Sequence, residues 1–367
     1  MTKPSRGRSL SPRRRTRASG LAVLLAAAVC LTAPAVAGAQ NAAANWTPPK
    51  TVDGQPDLQG LWTMATYTPL QRPERFKDRE FLTDAEMAEL NSLLTAEGTD
   101  PLTRNVLNDD PEQVRARRVQ TQENIHYDNA IWLTEERPKS LSSARTSLIV
   151  DPPDGRIPPM TEEGARRRAE RERDSRYLMN NLREPVYDGY HTRTVAERCL
   201  VWRHEGPPMI PAAYNDILQI FQTRDYVVVF QEMSNNLPRI IPMDGRPHVP
   251  RSVRGWAGDS RGRWEGDTLV VETVNFNGKT HYQGASEDLR VVERFRRVAE
   301  DRIHYEWTVE DDRTWSRPWT AEIPMVRTDE LMYEYACHEG NHDLRNILSI
   351  ARNLERQAAE REQAGSR

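Results

Sequence analysis

The most constraining feature of the chain is a run of strict alternation. Ile303, Tyr305, Trp307 and Val309 alternate with His304, Glu306, Thr308 and Glu310. Strand side chains face opposite ways with period two, so this segment has one apolar face and one polar face. Leu331, Tyr333, Tyr335 and Cys337 repeat the pattern. Hairpin signals recur around it. Segments 217–222 and 226–232 flank Thr223-Arg224-Asp225, and segments 263–264 and 268–274 flank Glu265-Gly266-Asp267. Segments 291–297 and 302–310 flank Val298-Ala299-Glu300-Asp301, and 319–326 and 331–337 flank Arg327-Thr328-Asp329-Glu330. Such a succession predicts a mainly β chain, an antiparallel meander curled into an up-and-down barrel, with a β-sandwich as the alternative.

Helices are expected around this sheet. Thr83-Asp84-Ala85-Glu86 is a capping box followed by Met87, Leu90 and Leu94 at helical spacing, with Gly98 as the stop. Residues 161–183 mix Arg166-Arg167-Arg168 with glutamates, the mark of a solvated helix held by i,i+4 pairs rather than a nucleic-acid patch. Residues 344–362 predict a terminal helix with Leu344, Ile347, Leu348 and Leu354 to one side. A first strand is expected over 57–63, and its Gly60-Leu61-Trp62 is similar to the glycine-x-tryptophan start of lipocalin-like barrels. A further strand over 145–150 is expected to end in the turn Asp151-Pro152-Pro153-Asp154-Gly155. Residues 99–140 are polar and irregular. The organisation that follows is a signal peptide over 1–39, an extended lead-in with a strand and a helix over 40–140, a β domain over 141–343 with a charged insertion at 161–183, and a C-terminal helix over 344–367.

The signal reading rests on Arg13, Arg14 and Arg15 before an apolar run at 21–31, with Ala37-Gly38-Ala39 as the cleavage end. The run is shorter than the roughly 20 residues a membrane span requires, and Val29 before Cys30 does not suit a lipoprotein signal. The expected location is therefore periplasmic or secreted, with no transmembrane segment after cleavage. Cleavage after Ala39 takes Cys30 away and leaves Cys199 and Cys337, which predicts one disulfide in an oxidising compartment. It also removes seven basic and no acidic residues, so the formal charge moves from -3 to -10. An acidic protein lacks the basic footprint that nucleic acid demands, and no nucleic-acid partner is expected.

Three places carry candidate chemistry. His338-Glu339-Gly340-Asn341-His342 matches H-E-x-x-H, the zincin pattern in which both histidines bind zinc and the glutamate polarises water. Gly340 and Asn341 are poor residues for such a helix. The competing reading is a strand-to-helix corner capped by Asn341 or Asp343. No cofactor is predicted, and zinc on His338 and His342 is the alternative. The predicted disulfide would bring His204 and Glu205 beside His338 and Glu339, making these four the candidate catalytic group. Arg261, Trp264 and His248 lie in polar turns that could rim a cavity, and Tyr305, Trp307, Tyr333 and Tyr335 would line it as ligand-binding aromatics. G-x-S-x-G, P-loop, dinucleotide and C-x-x-C motifs do not occur.

The segments 57–62, 262–273 and 333–341 (Asp-Leu-Gln-Gly-Leu-Trp; Gly-Arg-Trp-Glu-Gly-Asp-Thr-Leu-Val-Val-Glu-Thr; Tyr-Glu-Tyr-Ala-Cys-His-Glu-Gly-Asn) resemble a large family of exported proteins of unknown function, abundant in acidobacteria and other environmental bacteria. The resemblance spans nearly the whole mature chain and implies export without implying an activity. An aromatic residue commonly stands in that family where this chain has His342, which weighs against zinc. The expected function is binding of a small apolar or carbohydrate-like ligand. The alternatives are a periplasmic hydrolase or lyase using histidine and carboxylate chemistry, with or without metal, and a cell-envelope interaction protein.

Overall fold

A computed structural model describes residues 46–94, 140–173 and 187–365, apart from 203, 212–215, 235–237 and 280–281. The expected signal segment and residues 174–183 of the charged insertion lie outside the described residues, as does Gly98. Among the described residues, ten strands form one sheet: β1 (Gly60–Thr63), β2 (Ile149–Asp151), β3 (Ile217–Gln222), β4 (Tyr226–Gln231), β5 (Arg239–Pro242), β6 (Asp259–Glu265), β7 (Thr268–Val274), β8 (Arg290–Ala299), β9 (Arg302–Glu310) and β10 (Trp319–Arg327). Nine of them follow the order β5-β4-β3-β1-β10-β9-β8-β7-β6, antiparallel at every step, and curl into a nearly closed barrel. β2 pairs with β10 beyond the end of β1. The expected mainly β barrel is thus present, and the sandwich is not.

Inward positions are set by register. Gly262, Val271, Glu293, Trp307 and Ala321 stand in one cross-strand row, and Trp264, Leu269, Phe295, Tyr305 and Ile323 in the next. Trp62, Phe295, Tyr305, Trp307 and Trp319 are fully buried in this core. Tyr305 stacks on Trp307 with centroids 5.2 Å apart, and Phe295 lies 4.8 Å from Tyr305. Toward the β8–β9 turn, the indole of Trp62 donates to the Leu58 carbonyl at 2.9 Å, with the guanidinium groups of Arg297 and Arg327 over its ring.

The β6–β7 turn is tighter than the sequence suggests. Glu265 pairs with Thr268, leaving only Gly266 and Asp267 in the loop, and Gly266 has φ +59, a conformation cheap for glycine. β6 also begins at Asp259 rather than 263, because Ser260 occupies an inward position and bonds Thr273 at 2.8 Å. Polar residues facing inward read as loop in a sequence.

Two expectations need correction. Residues 331–337 do not form a strand, and Leu331 and Tyr333 are exposed. One edge of β10 is taken by β9 and the other by β1 and β2, so 331–337 cannot fold back on β10 as the second strand of a hairpin. The strand expected at 145–150 is reduced to β2 and an isolated Phe81–Arg145 bridge.

Among the described residues, three longer helices lie outside the barrel: α1 (Asp84–Leu94), α2 (Glu162–Arg173) and α3 (His342–Gly365). The capping box of α1 is formed, with Thr83 N–H donating to Glu86 at 2.8 Å and Glu86 N–H donating back to Thr83 Oγ1 at 3.3 Å. Leu90 of this helix joins Tyr67, Phe76, Leu82 and Leu141 in a small second core. Among the described residues, no helix is long and apolar enough to cross a membrane.

β5 and β6 meet without a backbone ladder, and Gly262 makes their approach feasible: Met243 and Ile241 occupy the space its Cβ would need. Gly262→Val is therefore expected to cost about 1–3 kcal/mol by overpacking, measured by urea unfolding. Gly340→Ala, whose Cβ would meet open space, is the neutral control.

Candidate functional site: a polar cluster inside the barrel

The barrel interior holds an ion pair among its aromatic residues. Glu293 is fully buried on β8, where the inward phase of Val291 and Phe295 places it. Arg239 of β5, its side chain 11% exposed, reaches across the seam and binds both oxygens of Glu293, one of them at 3.0 Å. Arg239 Nε also donates to Ser260 Oγ at 3.1 Å. Tyr305 donates its hydroxyl to Glu293 Oε1 at 2.7 Å and accepts from the Met209 N–H at 3.0 Å. Burial, then the adjacent Glu293 charge, pushes the Tyr305 phenol well above its ordinary range, so it stays a donor.

Met209 closes on this cluster through its bond to Tyr305, and residues 199–202 and 204–208 lead up to it. Met209 sits in the barrel core, and His204, buried, donates from Nε2 to the Glu232 carbonyl at 3.3 Å. The segment is fastened at its start by the Cys199–Cys337 disulfide, with Cα atoms 5.7 Å apart, the pairing expected from the sequence. Asn341 completes the corner: its Nδ2 donates to the Glu197 carbonyl at 2.8 Å, and its Oδ1 accepts from Leu344 N–H at 3.2 Å, capping α3.

The sequence-derived candidates fall into separate environments. His204 and Glu205 are buried in the corner, with Glu205 accepting from Trp202 N–H at 2.8 Å. His338 and Glu339 are on the same stapled corner but exposed. His338 lies in a single turn, Cys337–Gly340, and His342 begins α3, so the H-E-x-x-H residues do not share one continuous helix. No group of three or more potential ligands for a metal occurs among the described residues. Tyr305 and Trp307 are inside the barrel, Trp264 is partly buried against its core, Tyr335 packs edge-on to Trp202 at 6.3 Å, and Tyr333 is exposed.

Arg261 and His248 lie on the outer face. Ser260 and Gly262 take the inward positions of β6 and turn Arg261 outward, where it donates to Asp259 at 2.6 Å and to the Pro247 carbonyl at 3.1 Å. His248 spans two strands, with Nδ1 2.7 Å from Asp259 and Nε2 3.2 Å from Glu272. Both ring nitrogens face carboxylates, so the imidazole clamps the β5–β6 connection to the wall. Burial raises the Glu272 pKa, but the bonds from Arg290 and His248 outweigh it and hold the carboxyl below its ordinary value. Glu322, between His304 and Arg145, is held low in the same way against burial.

Comparison with protein-family models, with curated proteins and with solved structures found no match.

Sequence reasoning missed Arg239 and Glu293. The phase of Val291, Glu293, Phe295 and Arg297 was the available signal for Glu293; β5, four residues long, offered none for Arg239.

Arg239→Met is expected to destabilise by about 3–5 kcal/mol, because it strands a buried carboxylate. Arg239→Met with Glu293→Gln should recover most of that loss in urea unfolding, since the amide keeps an acceptor for Tyr305. Glu272 and Glu322 have depressed folded pKa values, so their contributions are present above the ordinary glutamate value of 4.5 and are lost as pH falls through the folded values. Unfolding midpoints should therefore drop below that pH, and Glu272→Gln with Glu322→Gln should flatten the drop.

Proposed function

We propose that the protein is an exported barrel that binds a small, partly apolar or carbohydrate-like molecule beside the Arg239–Glu293–Tyr305 cluster. The buried cluster itself carries this reading. Replacing a buried ion pair with apolar residues is often neutral or stabilising, so the pair is a poor device for stability alone. Polar groups set into an aromatic wall are the usual means by which a binding site orients a ligand. Met209, ten residues after the disulfide-bonded Cys199, adds its backbone N–H to the cluster at Tyr305. Export is supported by the signal-like residues 1–39, by the disulfide, and by the resemblance to a family of exported proteins.

The test is native mass spectrometry of the protein recovered from the periplasm without chelator, followed by a thermal screen of apolar and carbohydrate-like compounds. A bound organic mass is expected. A saturating ligand at a hundredfold its Kd should add about 2.7 kcal/mol to stability. A bare chain that no compound stabilises overturns the reading, and a bound metal replaces it with the His338/His342 alternative.

A further inference from the structure

Gln231 is the last residue of β4 and only 4% exposed. It shares the inner face with Val227 and Val229, and it pairs with the fully buried Leu218. Among the described residues, neither its Oε1 nor its Nε2 has a hydrogen-bond partner. Each unpaired buried polar atom is costly, and native proteins seldom leave both ends of an amide so. Its place is also specific. Arg239 pairs with Val229, two positions earlier on the same face, so Gln231 is the diagonal neighbour of Arg239. The next residue, Glu232, holds His204 through its carbonyl.

From this we infer that Gln231 reads the head group of the bound molecule, and that this head group is neutral and carries both a donor and an acceptor, as an amide or a hydroxyl does. The inference rests on the binding reading above and deepens it. Gln231 presents an N–H donor and a carbonyl acceptor, which such a group satisfies together. The charge balance beside it excludes an anion: Arg239 is already held by both oxygens of Glu293. An anion that took Arg239 would leave a fully buried carboxylate without its counter-ion. A cation would face the same obstacle in reverse at Glu293.

Benzamide, benzyl alcohol and benzoate share one apolar body and differ in head group, and their binding to the full mature protein can be read by calorimetry and thermal shift. Gln231→Met keeps the side-chain length and removes both polar atoms. In the wild type, benzamide and benzyl alcohol are expected to bind and benzoate to bind at least tenfold more weakly. In Gln231→Met the benzamide affinity should fall about tenfold, equivalent to about 1.4 kcal/mol. The ligand-free variant should unfold at a higher temperature than the wild type, a shift that a purely structural role for the amide would reverse. Benzoate binding as tightly as benzamide, undiminished benzamide binding in Gln231→Met, or binding of none of the three overturns the inference. If Gln231→Met does not fold, the wild-type comparison of benzamide with benzoate decides alone. A periplasmic protein that carries an organic molecule while rejecting all three probes sinks the head-group assignment and leaves the barrel reading standing. A bare chain that a wider panel fails to stabilise sinks both.

Discussion

Nine strands joined by antiparallel steps bring β5 and β6 to the seam running in the same direction, so closing the wall with backbone bonds would take a parallel ladder, and β5 and β6 form none. The barrel is closed there by side chains. Arg239 crosses to Glu293 and Ser260, while Ile241 and Met243 fill the space left open by Gly262. The connection between the two strands is pinned outside by His248 on Asp259 and Glu272. At the seam that lacks backbone bonds, side chains bring a charged pair into an otherwise apolar core, and the candidate site grows from it.

The second organising element is the Cys199–Cys337 bridge. It spans 138 residues of chain, and in the chain-entropy picture a loop of that length contributes about 4–5 kcal/mol by restricting the unfolded state. Its position matters as much as its size. One cysteine starts the segment that puts Met209 over Tyr305, and the other precedes the corner where Asn341 caps α3. The bridge ties the segment leading to Met209 to the base of the terminal helix, so packing inside the barrel and the outer corner are mechanically one unit.

Strands with apolar inward residues were legible from alternation, as 302–310 shows, and so was the capping box at Thr83. Legibility failed where the inward face is polar or the pairing is remote. Ser260 hid the first half of β6, and β5 is too short to carry a period. Leu331, Tyr333 and Tyr335 carry the period without the structure, since alternation shows that a segment could serve as a strand and says nothing about whether an edge is free to receive it. The candidate residues divide the same way. Tyr305 and Trp307 were recognisable as inner-face aromatics, and the cysteine pair could be inferred by elimination. The split between buried His204 and exposed His338, and the outward turn of Arg261, depended on strand phase and on neighbours far away in sequence.

By itself the sequence determined what local chemistry can specify: period-two segments with turn residues between them, capped helices at the periphery, and a cysteine pairing that follows once Cys30 is assigned to the expected signal segment. Only the tertiary structure decided which strands meet at the seam, that Arg239 and Glu293 face each other there, and that Gln231, diagonal to Arg239 in the sheet, is buried with an unpaired amide. The reason is physical. Secondary structure follows from hydrogen bonds and patterning over a few residues, whereas a buried charge finds its partner through closure of the whole sheet, across 54 residues of chain that no local rule connects.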